Sequence, residues 1–118
     1  MEKNVELGVL LDYYGDFLTD RQKKLMEYHV ADDLSLAEIA EMENISRQGV
    51  RDALIRGEQQ LRDMEKKLGI VAKTFSTVQK LSEIEKLIND YDCSDLLKNE
   101  LKAVIKEVVD IWEDNHGI

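Results

Sequence analysis

The fold is decided by one stretch of sequence, Ser35-Leu36-Ala37-Glu38-Ile39-Ala40-Glu41-Met42-Glu43-Asn44-Ile45-Ser46-Arg47-Gln48-Gly49-Val50-Arg51. Ser35 followed three residues later by Glu38 spells a capping box, in which each residue satisfies a backbone donor that the helix start leaves orphaned. A short helix therefore starts at about 36, with Leu36, Ile39, Ala40 and Met42 expected on its inner side. Asn tolerates left-handed backbone better than most residues, so Asn44 ends that helix. Ser46 then caps the next one. Two helices joined by Glu43-Asn44-Ile45-Ser46 read as a helix-turn-helix. Small Ala40 sits where the helices cross, and Ile39, Ile45 and Val50 fill the wedge between them. In such a motif the first residues of the second helix face the major groove. Here they are Arg47, Gln48 and Arg51, at about 0°, 100° and 40° around the helix. Val50, Ala53 and Leu54 turn the other way.

The charge pattern falls on the same residues. The chain has 118 residues, 16 Lys and Arg against 25 Asp and Glu, and a formal charge of −9. Yet Asn44 through Arg51 contains no acid and two arginines. All the arginines lie at positions 21, 47, 51, 56 and 62, and every later basic residue is Lys. Arg binds phosphates and guanine edges bidentately, whereas Lys acts as a point charge. Local potential governs contact, so an acidic total does not forbid nucleic acid, but it predicts weak, salt-sensitive affinity.

Working outward, Val5, Leu7, Leu10, Leu11, Tyr14 and Leu18 share one helical face in a first helix. Thr19 and Gln22 spell a second capping box, opening a helix over about 20–31 with Leu25, Met26 and Val30 inward. After Ser46, the residues Val50, Leu54, Gly57, Leu61, Met64 and Leu68 form a heptad-like seam that Gly69 closes. Val71, Phe75, Val78, Leu81, Ile84, Leu87, Ile88 and Tyr91 continue the helical spacing, as one long helix or as two if Ser82 and Glu85 cap a fresh start. Asp92-Cys93-Ser94 breaks it. A last helix over about 95–114 carries Leu97, Leu101, Val104, Ile105, Val108, Ile111 and Trp112, expected inward, before Gly117.

The expected fold is all-α, with about six helices: a helix-turn-helix domain over 1–69 and a helical extension over 70–118. The extension packs on the first part or on a dimer partner, with Leu61, Phe75 and Trp112 as packing or dimer anchors. Composition agrees. With 43% hydrophobic and 35% charged residues the chain is too apolar to be disordered and too charged to be a membrane protein. No prolines and only 6 glycines disfavour an all-β fold, which needs frequent turns. One cysteine allows no internal disulfide and does not suit a zinc site. No signal peptide or membrane span is apparent, so a cytoplasmic protein is expected.

The motifs are more specific than a generic helix-turn-helix. Leu18-Thr19-Asp20-Arg21-Gln22, Leu34 to Glu41, Asn44 to Val50 and Leu54-Ile55-Arg56 together resemble region 4 of bacterial sigma factors. With Tyr13-Tyr14-Gly15-Asp16-Phe17-Leu18-Thr19 in front and the acidic helical tail behind, the whole chain resembles the YlxM family. These are small helix-turn-helix proteins of Gram-positive bacteria and mycoplasmas. That resemblance implies a gene neighbourhood shared with the signal recognition particle GTPase and its receptor. It also implies a role in that pathway or its regulation, with the particle's protein, its RNA or its receptor as partner.

By position, the resemblance implies nucleic-acid contacts at Ser46, Arg47, Gln48 and Arg51, with DNA preferred to RNA and Arg56 behind them. Arg56 lies about 180° from Arg47, so it meets phosphate from the flank or pairs with an acid of its own chain. Glu43 stands where many such motifs place an apolar residue, and Glu41 and Glu58 lie close enough to repel phosphate.

The remaining polar residues carry no chemistry. His29 reads as a surface or partly packed side chain, and His116 as part of a frayed end. Cys93 has no His or Lys beside it to activate a thiolate. Asp90, Asp92 and Asp95 lack the glycine and terminal Glu spacing of a calcium loop. No glycine-rich phosphate loop or catalytic constellation is present, so neither an enzyme, a metal nor a cofactor is expected. Two functions are open: a nucleic-acid-binding regulator, or a protein–protein adaptor working through the acidic helices.

Overall fold

The computed structural model describes residues 2–114, with side chains from 2 to 112. His116 and Gly117 lie outside the described residues. The chain is all-α: α1 (Lys3–Tyr14), a 3-10 turn (Gly15–Phe17), α2 (Asp20–Val30), α3 (Leu36–Glu43), α4 (Arg47–Leu68), α5 (Ile70–Asp90) and α6 (Asp95–Asp114). It divides into two units, one reaching to Val71 and one from Ala72 onward.

In the first unit the helix starts and stops are local chemistry. The Thr19 hydroxyl accepts from the Gln22 amide at 3.1 Å, but Gln22 does not reach back, so only half of that expected box forms. At α3 the box is complete. Glu38 donates its amide to Ser35 Oγ at 3.1 Å, and Ser35 donates its own to Glu38 Oε1 at 3.2 Å. Asn44 takes φ 55° and ψ 47°, the left-handed stop expected of it. Ser46 accepts from the Gly49 amide at 2.9 Å and starts α4. The turn before α3 contains a feature the sequence does not announce. Asp33 also takes a left-handed φ of 56°, and His29 Nδ1 bonds the Leu34 carbonyl at 3.2 Å. This histidine is half-buried and pins the α2–α3 connection.

The core gathers around α4, which packs against α1, α2 and α3. Leu7, Leu10, Leu11 and Tyr14 from α1, Leu18, Leu25 and Met26 from α2 and the turn before it, Ile39 and Ala40 from α3, and Val50, Leu54 and Leu61 from α4 form one buried cluster. Three residues expected on the apolar side are not in the core: Val5 is 54%, Met42 56% and Leu68 48% exposed. All three sit at or near the ends of their helices. Gly57 lets α4 approach α2 closely. A Cβ there would stand 3.1 Å from Met26 Cγ and Sδ. Glycine in a helix interior costs about 1 kcal/mol relative to Ala, and the close approach is what offsets it.

Tyr14 ties α1 to the far end of α4. Its hydroxyl donates to Glu65 Oε1 at 2.5 Å and accepts from the Ile70 amide at 3.2 Å. Glu65 Oε1 also accepts from the Val71 amide at 3.0 Å. The pair thus satisfies two amides at the start of α5, just after Gly69 turns the chain with φ 64°. Burial, then donation to Glu65, push the Tyr14 hydroxyl up to about 12.

In the second unit the structure decides one open alternative and departs from one expectation. Of the one or two helices that the spacing allowed, α5 is a single helix across Ser82 and Glu85, because nothing between Thr74 and Asp90 interrupts the backbone ladder with Gly or Pro. The apolar seam of α6 is not inward: Leu97, Leu101, Val104, Ile111 and Trp112 are between 39% and 60% exposed. Among the described residues from Ala72 onward only Thr74 is buried. Two amphipathic helices bring more apolar surface than a unit of this size can enclose. Ser94 caps α6 by accepting from the Leu97 amide at 3.2 Å.

Candidate nucleic-acid interface

The α4 N-terminus carries the chemistry that the sequence singles out. Ser46 fixes the first turn, and Val50, fully buried, fixes the rotation of the helix against the core. The other side of the first two turns is thereby exposed: Arg47, Gln48, Arg51, Asp52, Ile55 and Arg56 all face solvent. The two α3–α4 helices and their left-handed turn bring Ser46, Arg47, Gln48 and Arg51 to one end of the first unit. Arg56 stands more than a turn further along.

These arginines differ from Arg62, Lys23 and Lys24 of the same unit in having no acid partner. Arg62 is held by Glu6 at 2.6 Å and Glu58 at 3.2 Å, and hydrogen bonding to Glu6 is the main cause that raises its guanidinium further. Lys23 pairs with Asp16 at 2.6 Å and Lys24 with Glu43 at 3.0 Å. Hydrogen bonds donated to these acids raise both ammonium groups. Among the described residues Arg47, Arg51 and Arg56 make no ion pair. The intramolecular pair that Arg56 could have formed is therefore absent.

Nearby acids are largely engaged elsewhere. Glu43, which departs from the usual apolar residue, is anchored to α2 by Lys24. Glu58 is shared by Arg62 and Lys3, the latter at 3.7 Å. Glu41 remains exposed. Sequence reasoning missed the partner of Gln48, whose Nε2 donates to Asp52 Oδ1 at 2.9 Å. The i,i+4 spacing of Gln48 and Asp52 was the available signal. Sequence reasoning also missed a groove of about 390 Å³ beside α4, lined by Leu7, Met26, Leu36, Arg51, Leu54 and Ile55 among others.

Of the three packing anchors, Leu61 lies fully inside the core of the first unit, so it serves helix packing there. Phe75 and Trp112 are 45% and 42% exposed. Cys93 is half-buried in the α5–α6 connection. Among the described residues no group of three or more His, Cys, Asp or Glu is placed to hold a metal ion. No helix there is long and apolar enough to cross a membrane.

A capped recognition-type helix set on a short α3 through a left-handed turn defines a helix-turn-helix protein. The comparisons give the particular family. Residues 1–108 match the family described as "Putative helix-turn-helix protein, YlxM / p13 like", UPF0122, and the chain belongs to it. A UPF0122 protein of Desulforamulus reducens is 36% identical over 116 residues, covering 97% of this chain and 99% of that one. One of Acetivibrio thermocellus is 41% identical over 114 residues, covering 97% of each. One of Caldanaerobacter subterraneus is 44% identical over 82 residues, 70% of each chain.

Proposed function

We propose that this protein is a DNA-binding regulator that reads nucleic acid with α4, DNA in preference to RNA, and acts in the cytoplasm. One observation carries the reading. The capped start of α4 presents two exposed arginines, Arg47 and Arg51, without an acid partner, on an acid-free first turn, whereas the nearby cations Lys23, Lys24 and Arg62 of the same unit are ion-paired. An unpaired guanidinium needs no internal bond broken before it meets phosphate. Ser46 and Gln48 stand beside them, and Arg56 reaches the backbone from the other flank. The proposed role of this regulator lies in the signal recognition particle pathway, a reading supported by the YlxM resemblance alone.

A homodimer is part of the proposal. Phe75, Ile84, Leu87, Tyr91, Leu97, Leu101, Val104, Ile111 and Trp112 are all at least 39% exposed. That apolar area is on the order of the ~800 Å² per partner of a standard interface. A two-fold pair would carry two copies of α4, as half-site readers do.

The same exposed apolar residues favour a second reading: an adaptor that binds the particle's protein, RNA or receptor through the acidic helices. Residues 70–118 carry 10 acids and 6 bases, so a basic partner held there weakens with salt. Recovering tagged protein from a bacterial lysate with and without nuclease separates the two. Capture that nuclease abolishes supports the first reading. Nuclease-resistant capture of a basic protein supports the second.

A further inference from the structure

The outward side of α4 is more specific than two free arginines. Counting about 100° per residue from Arg47, the buried Val50, Leu54, Gly57 and Leu61 fall between about 280° and 340°, so the helix turns its outer side to about 130°. Gln48 and Asp52, at about 100° and 140°, straddle that direction. Arg51, about 90° from that direction, lies on one flank and Arg56, at about 180°, on the other, while Arg47, at 0°, lies nearer the core side and is exposed because it opens the helix. Arg51 and Arg56 therefore sit where the two phosphate walls of a groove would be, and the Gln48–Asp52 pair sits at its floor. Gln59 shares the outer direction but is about 20 Å from Ser46 along the axis, beyond the ~12 Å width of a major groove.

The pair has a fixed chemistry. Gln48 Nε2 donates to Asp52 Oδ1 at 2.9 Å, which sets the amide and leaves Gln48 Oε1 and Asp52 Oδ2 without partners among the described residues. An ionised carboxylate only accepts. The centre of the face thus offers mainly acceptors, next to arginines that only donate. In the major groove a carboxylate accepts from the cytosine N4 amino group, and arginine donates to guanine O6 and N7. It is repelled where a base shows only acceptors, and by phosphate everywhere.

We propose that Asp52, held by Gln48, is a specificity-determining residue that selects a C·G base pair in duplex DNA at the cost of general affinity. This rests on α4 being the nucleic-acid-reading helix. The test is selection from a randomised duplex pool by the full-length chain, by Asp52→Asn and by Asp63→Asn. Asp63 is the control, because Gln59 holds it by the same i,i+4 bond at 2.9 Å but beyond groove reach. Both carboxylates are on exposed residues, so the variants fold. The wild type should enrich cytosine at one position. Asp52→Asn should lose at least tenfold of the cytosine-over-adenine preference there, since Asn pairs adenine, and should bind unselected duplex more tightly. Asp63→Asn should select as wild type does. If Asp52→Asn returns the wild-type base ratio, or binds unselected duplex more weakly, the role of Asp52 is overturned while the reading of α4 stands. If the wild type binds duplex at low salt but selects no sequence, the role of Asp52 alone is overturned; if it binds no duplex, both are overturned.

Discussion

Replacing both Arg47 and Arg51 by Ala removes the two unpaired cations at the head of α4 and disturbs nothing else. Each is exposed and in no ion pair, so no internal bond is lost, and Ala is the best helix former. Stability should move by no more than about 0.5 kcal/mol. Binding should move far more. Each phosphate contact contributes about 0.9 to the slope of log affinity against log salt, so losing two flattens it by about 1.8. Over a fourfold rise in salt, the wild type should then lose roughly tenfold more affinity than the variant. At a matched site, an arginine bidentate to guanine adds about 1–3 kcal/mol of discrimination. The expected loss at physiological salt is at least tenfold. Fluorescence anisotropy with a short mixed-sequence duplex at two salt concentrations, beside a thermal melt by circular dichroism, reads both quantities. Equal affinity and equal salt slope in the two proteins would refute the reasoning, leaving the helix-turn-helix a scaffold. A melting point lowered by many degrees would show that the arginines were not free.

Tyr14→Phe should destabilise by about 1.5–3 kcal/mol, the worth of a hydrogen bond to a charged group. The gap to wild type should close as pH rises from about 10 to about 12, because the raised tyrosine contributes stability below its unfolded value and loses it on passing the folded one; a gap constant with pH in denaturant titrations would contradict the Tyr14–Glu65 bond. Gly57→Ala should lower stability by about 1–3 kcal/mol despite its better helix propensity, since Met26, 1% exposed, has little room to yield; a more stable variant would show that α2 and α4 are not so close. Light scattering at micromolar concentration should give twice the monomer mass, and Phe75→Glu with Trp112→Glu should return it to one; a monomer across a wide concentration range would remove the dimer from the account.

The helix-turn-helix was legible in the sequence because its punctuation is local. Ser35, Glu38, Asn44 and Ser46 each act on backbone within three or four residues, and each does in the fold what its chemistry allows. The free arginines were legible as an acid-free run. Their freedom was not, because it depends on which acids are engaged by Lys3, Lys24 and Arg62, and several of those partners are distant in sequence. The Tyr14–Glu65 bond, across 51 residues, was invisible for the same reason. Periodicity misled in the last two helices. It correctly marks one apolar side on α5 and α6 but says nothing of what covers that side, and an apolar stripe left exposed reads the same as one facing a core. Ser82 with Glu85 looked like a helix start because a capping pair within a continuous helix has the same spelling.

The most direct test of α4 as the reading helix is a two-dimensional amide NMR titration of the labelled chain with a short duplex. The account predicts shifts concentrated between Ser46 and Arg56, fading as salt is raised, with α5 and α6 unmoved. Shifts confined to residues beyond Ala72, or none at millimolar duplex in low salt, would contradict it.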